Sequence, residues 1–248
     1  MVPWFCRYEN DVYRRMAVKK NGNGIGCKMK KRYDNRFGIG EKKRKDAVWE
    51  EICLYFRHFL KGGGKNIACI VDVAAGYCGF INHIPCNCRK YALDVNPDVK
   101  KYAGKGVNAL VGKVEYLGRH FGEGTVSLFF MSNLLEHLTK DSISHLLELE
   151  YRLLEKGGQV WILTPNIRYV GGKYWDFYDH ITPVTEKAII EEAKLAGYEI
   201  KTCIPRFLPF TTKSSFPQSR WIVRLYLRLM PLSGKIFGEQ SFLILLKP

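Results

Sequence analysis

Residues 71–80 read VDVAAGYCGF and complete an apolar run that starts at Ile67 (IACIVDV, 67–73). A continuous apolar run ending at a glycine-containing turn suits a strand buried on both faces of a parallel sheet. The turn does two things at once. Without a Cβ at Gly76, backbone N–H groups can approach a ligand, and the helix that follows aims its N-terminus at the same place. The next strand, 90–95 (KYALDV), carries Asp94 near its end. An acidic residue there, some 20 residues after the turn, can accept hydrogen bonds from both hydroxyls of a ribose. In open α/β sheets such a ligand lies over the carboxyl ends of the strands.

Working outward, further strands are expected at 109–111 (weak), 126–131 (VSLFFM), 159–164 (QVWILT), 198–204 and 241–246. A helical pattern over SISHLLELEYRLLEKGG places Leu146, Leu147, Leu149, Leu153 and Leu154 on an apolar side, with Gly157-Gly158 as its expected stop. A second helix spans about 186–196, with Thr182-Pro183 opening it. Upstream, Asp46 is expected to cap a helix DAVWEEICLYFRHFL that buries Val48, Ile52, Tyr55, Phe56 and Phe59 and stops at Gly62-Gly63-Gly64. Strands alternating with helices predict an α/β fold: a Rossmann-like, mostly parallel sheet with helices on both faces.

The chain has 248 residues, 46% of them hydrophobic and 25% charged. That composition supports a sizeable core and excludes wholesale disorder. No apolar run reaches the roughly 18–20 residues that cross a bilayer. The N-terminus has no apolar signal-like region, so the expected location is cytoplasmic, with the inner face of the membrane as a site of contact. The eight cysteines are scattered and expected to be reduced. Cys86-Asn87-Cys88 lacks zinc-site spacing, and no metal is expected. The net charge of +15 favours anionic partners. Basic residues gather in 14–45 and from Arg206 onward. Residues 1–45 are read as a basic arm, either solvated or acting as a substrate-side lid, and 46–248 as one catalytic domain. Within it, 205–240 is a basic amphipathic extension before the last strand. Its helix puts Arg220, Arg224 and Arg228 on one face and Trp221, Ile222, Leu225 and Leu229 on another. This is either a cover packed on the domain or a surface that meets anionic lipid or a diphosphate-linked glycan.

Two adenosine ligands fit the turn. It can be a degraded dinucleotide fingerprint or, starting from the acid, a degraded D-x-G-x-G-x-G loop, Asp72-x-Ala74-x-Gly76-x-Cys78. The second is better, because an acid at the strand end repels pyrophosphate and suits the ammonium and sulfonium of S-adenosylmethionine. VDVAAGYCGF, ALDVN, FFMSNLLEHL and LLEKGGQVWILTPN together resemble the class I S-adenosylmethionine-dependent methyltransferases, over about residues 46–248. YWDFYDHITPVTEKAIIEEAKLAGY and FLPFTTKSSFPQSRWIVRLYLRLMP are similar to a bacterial subgroup associated with polysaccharide and glycolipid biosynthesis.

The resemblance implies seven strands in the order 3-2-1-4-5-7-6 and S-adenosylmethionine as cofactor. Asp72, Ala74, Ala75, Gly76 and Tyr77 would line its methionine end. Asp94, with Val95 beside it, would hold the ribose, and Ser132 and Asn133 would close the floor near the methyl group. Where the family has glycines, this chain has Ala74 and Cys78. Gly79 stands at a usually acidic position, and Lys113 replaces an acid that bonds the adenine amine.

The implied activity is methylation of a sugar or glycolipid hydroxyl, with a small-molecule or lipid-linked glycan as acceptor. A hydroxyl must lose its proton, and a positioned base contributes about 10²–10⁴-fold. His180, in Trp175-Asp176-Phe177-Tyr178-Asp179-His180, is the first candidate base, oriented by Asp179 or Asp176. His137, in Glu136-His137-Leu138, is the second, and His83 is assigned to packing or capping. The aromatic residues around His180 could stack on a sugar. Two alternatives stay open. The charge suits a nucleic-acid methyltransferase, although Asn133 is followed by Leu134-Leu135 and no base-methylation tetrad forms. The missing glycines suit a non-catalytic scaffold of the same fold. The oligomeric state is not legible.

Overall fold

Side chains alternate across the central strands and sort the core into two layers. Val71, Val73, Leu93, Phe129, Met131, Val160, Ile162, Leu243 and Leu245 face one layer. Ile70, Ala92, Leu128, Phe130, Trp161, Leu163, Phe242 and Ile244 face the other. A strand covered on both sides needs apolar residues at every position, which is why the runs at 67–73 and 126–131 do not alternate with polar residues. In the computed structural model, residues 39–61, 67–209 and 219–248 are described, with side chains from residue 45 onward. The expected arm (1–45) and helix stop at Gly62–Gly64 therefore lie largely or wholly outside the described residues. The chain divides into a unit of residues 1–42 and a unit of residues 43–248, and the second contains every strand of the sheet.

The element order is α1 (Ile39–Lys61), β1 (Cys69–Val73), α2 (Gly79–His83), β2 (Arg89–Asp94), α3 (Val99–Tyr102), β3 (Val107–Val111), β4 (Val126–Ser132), α4 (Lys140–Leu153), β5 (Leu154–Pro165), α5 (Ile167–Val170), α6 (Glu186–Leu195), β6 (Glu199–Leu208), α7 (Arg220–Arg228), α8 (Leu232–Phe237) and β7 (Gln240–Leu246). They build a seven-stranded sheet, β3-β2-β1-β4-β5-β7-β6. β7 pairs antiparallel with both β5 and β6, and the other pairings are parallel.

Three local expectations need correction. Helix α1 begins at Ile39, so Asp46 lies inside it rather than at its start. Helix α4 ends at Leu153, and β5 begins at once. Gly157-Gly158 therefore does not stop the helix. It lies in the irregular stretch where the register against β4 shifts, between the Val126–Leu154 and Leu128–Gln159 pairs. The Gly157 amide and the Gly158 carbonyl both pair with the Lys247 backbone. Lys247 Nζ also donates to the carbonyls of Tyr151 and Leu154 at 2.8 Å and so caps α4 with a cation. Helix α6 is opened by Thr185, whose Oγ1 accepts from the Ala188 amide, rather than by Thr182-Pro183.

Helix α7 packs by Val223, Tyr226 and Leu227. The residues of its expected apolar side mostly point outward, away from the domain: Trp221 is 76% exposed, Leu225 57% and Leu229 51%. The reason is electrostatic. Glu51 of α1 is buried and accepts from Arg220 Nε at 2.9 Å and from Arg224 Nε and NH2 at 2.9 and 2.7 Å, while Arg220 also donates to Glu50 at 2.6 Å. The hydrogen bonds from Arg224 hold the Glu51 carboxyl below its usual range, against the opposing effect of burial. Two of the three arginines of the expected basic stripe are thus turned toward α1.

Glu150 lies on the buried side of α4, fully inaccessible, with no hydrogen bond to either oxygen. Burial alone raises its pKa well above the usual carboxyl value of 4.5. Below that value both the folded and unfolded chains are protonated there. As pH rises, the unfolded chain ionises first and folding loses stability. Replacing Glu150 by Met should therefore stabilise the protein by roughly 1–3 kcal/mol near pH 8 and by less at pH 5. Thermal melts at both pH values would show this, and a gain independent of pH would contradict it.

Candidate active site

The turn after β1 is wound by residues in the left-handed region. Ala74 has φ 59°, Gly76 φ 53° and Cys78 φ 59°. The conformations of a glycine loop are therefore kept at two positions where glycine has been replaced. L-residues there cost about 1–3 kcal/mol each, so the surroundings must impose the shape. They do: the Ala75 amide donates to the Leu93 carbonyl at 3.0 Å, and the Gly76 amide donates to Asp94 Oδ2 at 2.8 Å. Cys78 is buried, and its Sγ lies 3.9 Å from the Val99 carbonyl. Gly79 has a packing reason. A Cβ there would come within 2.3 Å of the Trp49 indole.

Asp94 Oδ1 accepts from the Asn96 amide at 2.7 Å. Its carboxylate thus braces the turn, and the lone pairs not used by these amides are what a ribose could engage. Burial raises the Asp94 pKa, opposed by the amides of Asn96, Gly76 and Val95. Asp72 sits one strand away, buried, and its pKa is raised well above the usual range, first by burial. Two buried carboxyls at the ends of β1 and β2 form a site suited to a positively charged ligand. Tyr77 packs edge-on against Tyr102, with centroids 4.7 Å apart. Ser132 ends β4, and Asn133, with φ 52°, is exposed and donates from Nδ2 to Ser132 Oγ at 3.3 Å. The Gly112 amide donates to the Asp94 carbonyl at 2.9 Å, which sets Lys113 just beyond the same edge.

The structure joins two histidines that lie far apart in the chain. His137 is in the short 3-10 turn Leu135–His137 after β4, and His180 is in the loop after β5. Their rings meet edge to face, with centroids 4.9 Å apart. His180 is buried, stacked on Phe177 at 5.0 Å and edge-on to Tyr174 at 4.7 Å. The His137 Nδ1 lies 2.9 Å from the Asp179 carbonyl and 3.9 Å from Asp179 Oδ2. Asp179 thus meets His137. Trp175 and Tyr178 are exposed on the same loop. His83 contacts the Gly79 carbonyl at 2.8 Å, the expected capping role.

Glu136 was not singled out from the sequence. It is fully buried between the two histidines' segments. Its Oε2 accepts from Thr164 Oγ1 at 3.2 Å, while Oε1 has no hydrogen bond. Burial pushes its pKa up to about 8. The signal was its position directly after a buried strand, beside His137.

Replacing Ala74 by Val, a β-branched residue at positive φ, should lower stability by roughly 1–3 kcal/mol, whereas Ala74→Gly should not lower it. Urea unfolding of both variants reads the difference; equal stability of the two would show that the turn is not held left-handed.

No family model and no curated protein matches the chain. Solved structures do. A methyltransferase dependent on S-adenosylmethionine from Archaeoglobus fulgidus superposes with TM-score 0.60 at 17% identity, over 81% of this chain and 94% of the other. A chain of the complex between the Haloferax volcanii Trm112 methyltransferase activator and a methyltransferase gives 0.61 at 16% identity, over 87% and 97%. A methyltransferase of the same kind from Thermotoga maritima gives 0.59 at 15%, over 87% and 98%. With the strand order, the single antiparallel strand β7 and helices on both faces, this chain has the fold of the class I S-adenosylmethionine-dependent methyltransferases.

Proposed function

We propose that the protein is an S-adenosylmethionine-dependent methyltransferase that methylates a hydroxyl of a sugar or glycolipid, as in polysaccharide biosynthesis. The observation that carries this is the pairing of a left-handed, Asp94-braced turn at one strand end with the Glu136–His137–His180 cluster past the ends of β4 and β5. The turn also counts against a disabled scaffold, since Ala74 and Cys78 keep the backbone shape that glycines would give. Asp72, Ala74, Ala75, Gly76 and Tyr77 would hold the methionine end of the cofactor, Asp94 and Val95 its ribose, and Ser132 and Asn133 its floor. When bound, S-adenosylmethionine supplies a methyl group activated by sulfonium.

The chain's own residues then have three tasks. The buried carboxyls favour the cationic ligand. Trp175 and Tyr178 offer faces on which a sugar can stack, and alignment of the reactants can be worth roughly 7–11 kcal/mol. His180, stacked on Phe177 and edge-on to Tyr174, takes the hydroxyl proton. Calorimetry with S-adenosylhomocysteine should give micromolar binding that Asp94→Ala abolishes. His180→Ala should keep that binding and lose turnover by about 10²–10⁴-fold on glycolipid or nucleotide-sugar acceptors. Absence of binding at millimolar ligand would overturn the reading.

We also assign α7 and α8 to peripheral contact with an anionic membrane, where a lipid-linked glycan would be met. Trp221, Leu225 and Leu229 recur every fourth residue along α7 and its C-cap, Leu232 and Ile236 do so on α8, and all five are exposed. Arg228 and Lys235 are exposed among them. Exposed apolar stripes flanked by cations fit an interfacial helix, and among the described residues no helix is long and apolar enough to cross a membrane. Cosedimentation with phosphatidylglycerol vesicles should fall several-fold in Trp221→Ser/Leu225→Ser. Unchanged or absent binding of the wild type would remove this assignment.

A further inference from the structure

We propose that Glu136, His137 and His180 bind one first-row transition-metal dication of the Zn²⁺, Mn²⁺, Fe²⁺ or Co²⁺ class, with an open position for the acceptor's hydroxyl oxygen. Each residue offers one ligand atom, and these atoms lie within 4.8 Å of one another. Ligands at about 2.0–2.2 Å from one ion are roughly 3.4 Å apart, so closure asks for side-chain rotations of about an ångström. The elements that carry them are pinned together. The Glu136 carbonyl accepts from the Ile181 and Thr182 amides at 2.9 and 3.2 Å, and Thr182 Oγ1 donates to the Leu138 carbonyl.

The second observation is the carboxyl itself. Glu136 is wholly inaccessible, one oxygen is held by Thr164, and the other has no donor. A buried carboxylate oxygen without a partner is costly, and a bound dication is a partner of the right charge. His137 is arranged as ligating histidines are. Against a carbonyl acceptor its Nδ1 carries the proton, which leaves the lone pair on Nε2, and the Asp179 carboxylate stands behind the same ring. Two imidazoles and one carboxylate suit the transition metals named rather than Mg²⁺ or Ca²⁺, which take oxygen ligands. Three protein ligands leave a coordination position open.

The role deepens, and rests on, the hydroxyl-acceptor reading. Held by Glu136, His137 and His180, the cation would acidify a hydroxyl at the open position, whose proton would pass to solvent. The oxygen then forms the O–CH₃ bond while the C–S pair returns to sulfur. With the cation in place His180 serves as a ligand; without it His180 is the base.

The test is Co²⁺ titration of the full chain, read by visible d–d absorption and by bound metal per protein. One ion per chain is expected, with Mg²⁺ unable to displace it and Zn²⁺ able to. Glu136→Gln and His180→Ala should each weaken binding by more than 10-fold. The exposed His120→Ala should bind as the wild type does, and circular dichroism checks that each variant is folded. Absence of one-to-one binding, or binding unchanged by Glu136→Gln and His180→Ala, overturns the proposal. S-adenosylhomocysteine calorimetry on the same preparations separates the two readings: S-adenosylhomocysteine binding without the metal sinks this site alone, and metal binding without S-adenosylhomocysteine sinks the methyltransferase reading alone.

Discussion

The carbonyl oxygen of Glu136 accepts two amides, those of Ile181 and Thr182. This one acceptor ties the turn after β4 to the long loop after β5. Tyr174 reinforces it from inside the loop, where its buried hydroxyl donates to the Thr182 carbonyl and accepts from the Val184 amide. Without this tie His180 would not reach His137. A loop of this length otherwise has many conformations to lose on ordering. Anchoring it at a strand end turns it into a wall of the site.

Charge is distributed against the overall balance. The chain carries a net +15, yet the strand ends hold Asp72, Asp94 and Glu136 in buried positions. Each is kept by a specific partner: Asp94 by the turn amides, Glu136 by Thr164, Asp72 by the Ile81 amide. Acids in a dry edge of an otherwise basic protein create a local preference for a cation. On the basic side, Glu50 and Glu51 draw Arg220 and Arg224 inward.

The same inward pull explains the outward apolar stripe of α7. Helical spacing correctly separated a basic side from an apolar side. It could not say which would face the domain. Hydrophobicity alone favours burying Trp221 and Leu225. Instead, a buried carboxylate on α1 needed two guanidinium groups, and leaving it unpaired would cost more than exposing an indole. The helix rotated to suit, and Val223, Tyr226 and Leu227 became its inner face.

The sequence by itself determined the sheet. Continuous apolar runs can be satisfied only between two layers of helices, while the order of the strands came from the family resemblance. It also placed the turn and Asp94 at one edge, because strand ends and glycine-containing turns are local features. Boundaries at Asp46 and Gly157-Gly158 were misjudged where longer-range pairing outweighed local capping signals. Only the tertiary structure decided that Ala74 and Cys78 take the left-handed shape, since the force that holds them there comes from the Leu93 carbonyl and the Asp94 carboxylate on another strand. It alone brought Glu136 and His137 against His180. No spacing rule links residues in two separate loops; the hydrogen bonds that join those loops exist only once the sheet has set their strands side by side.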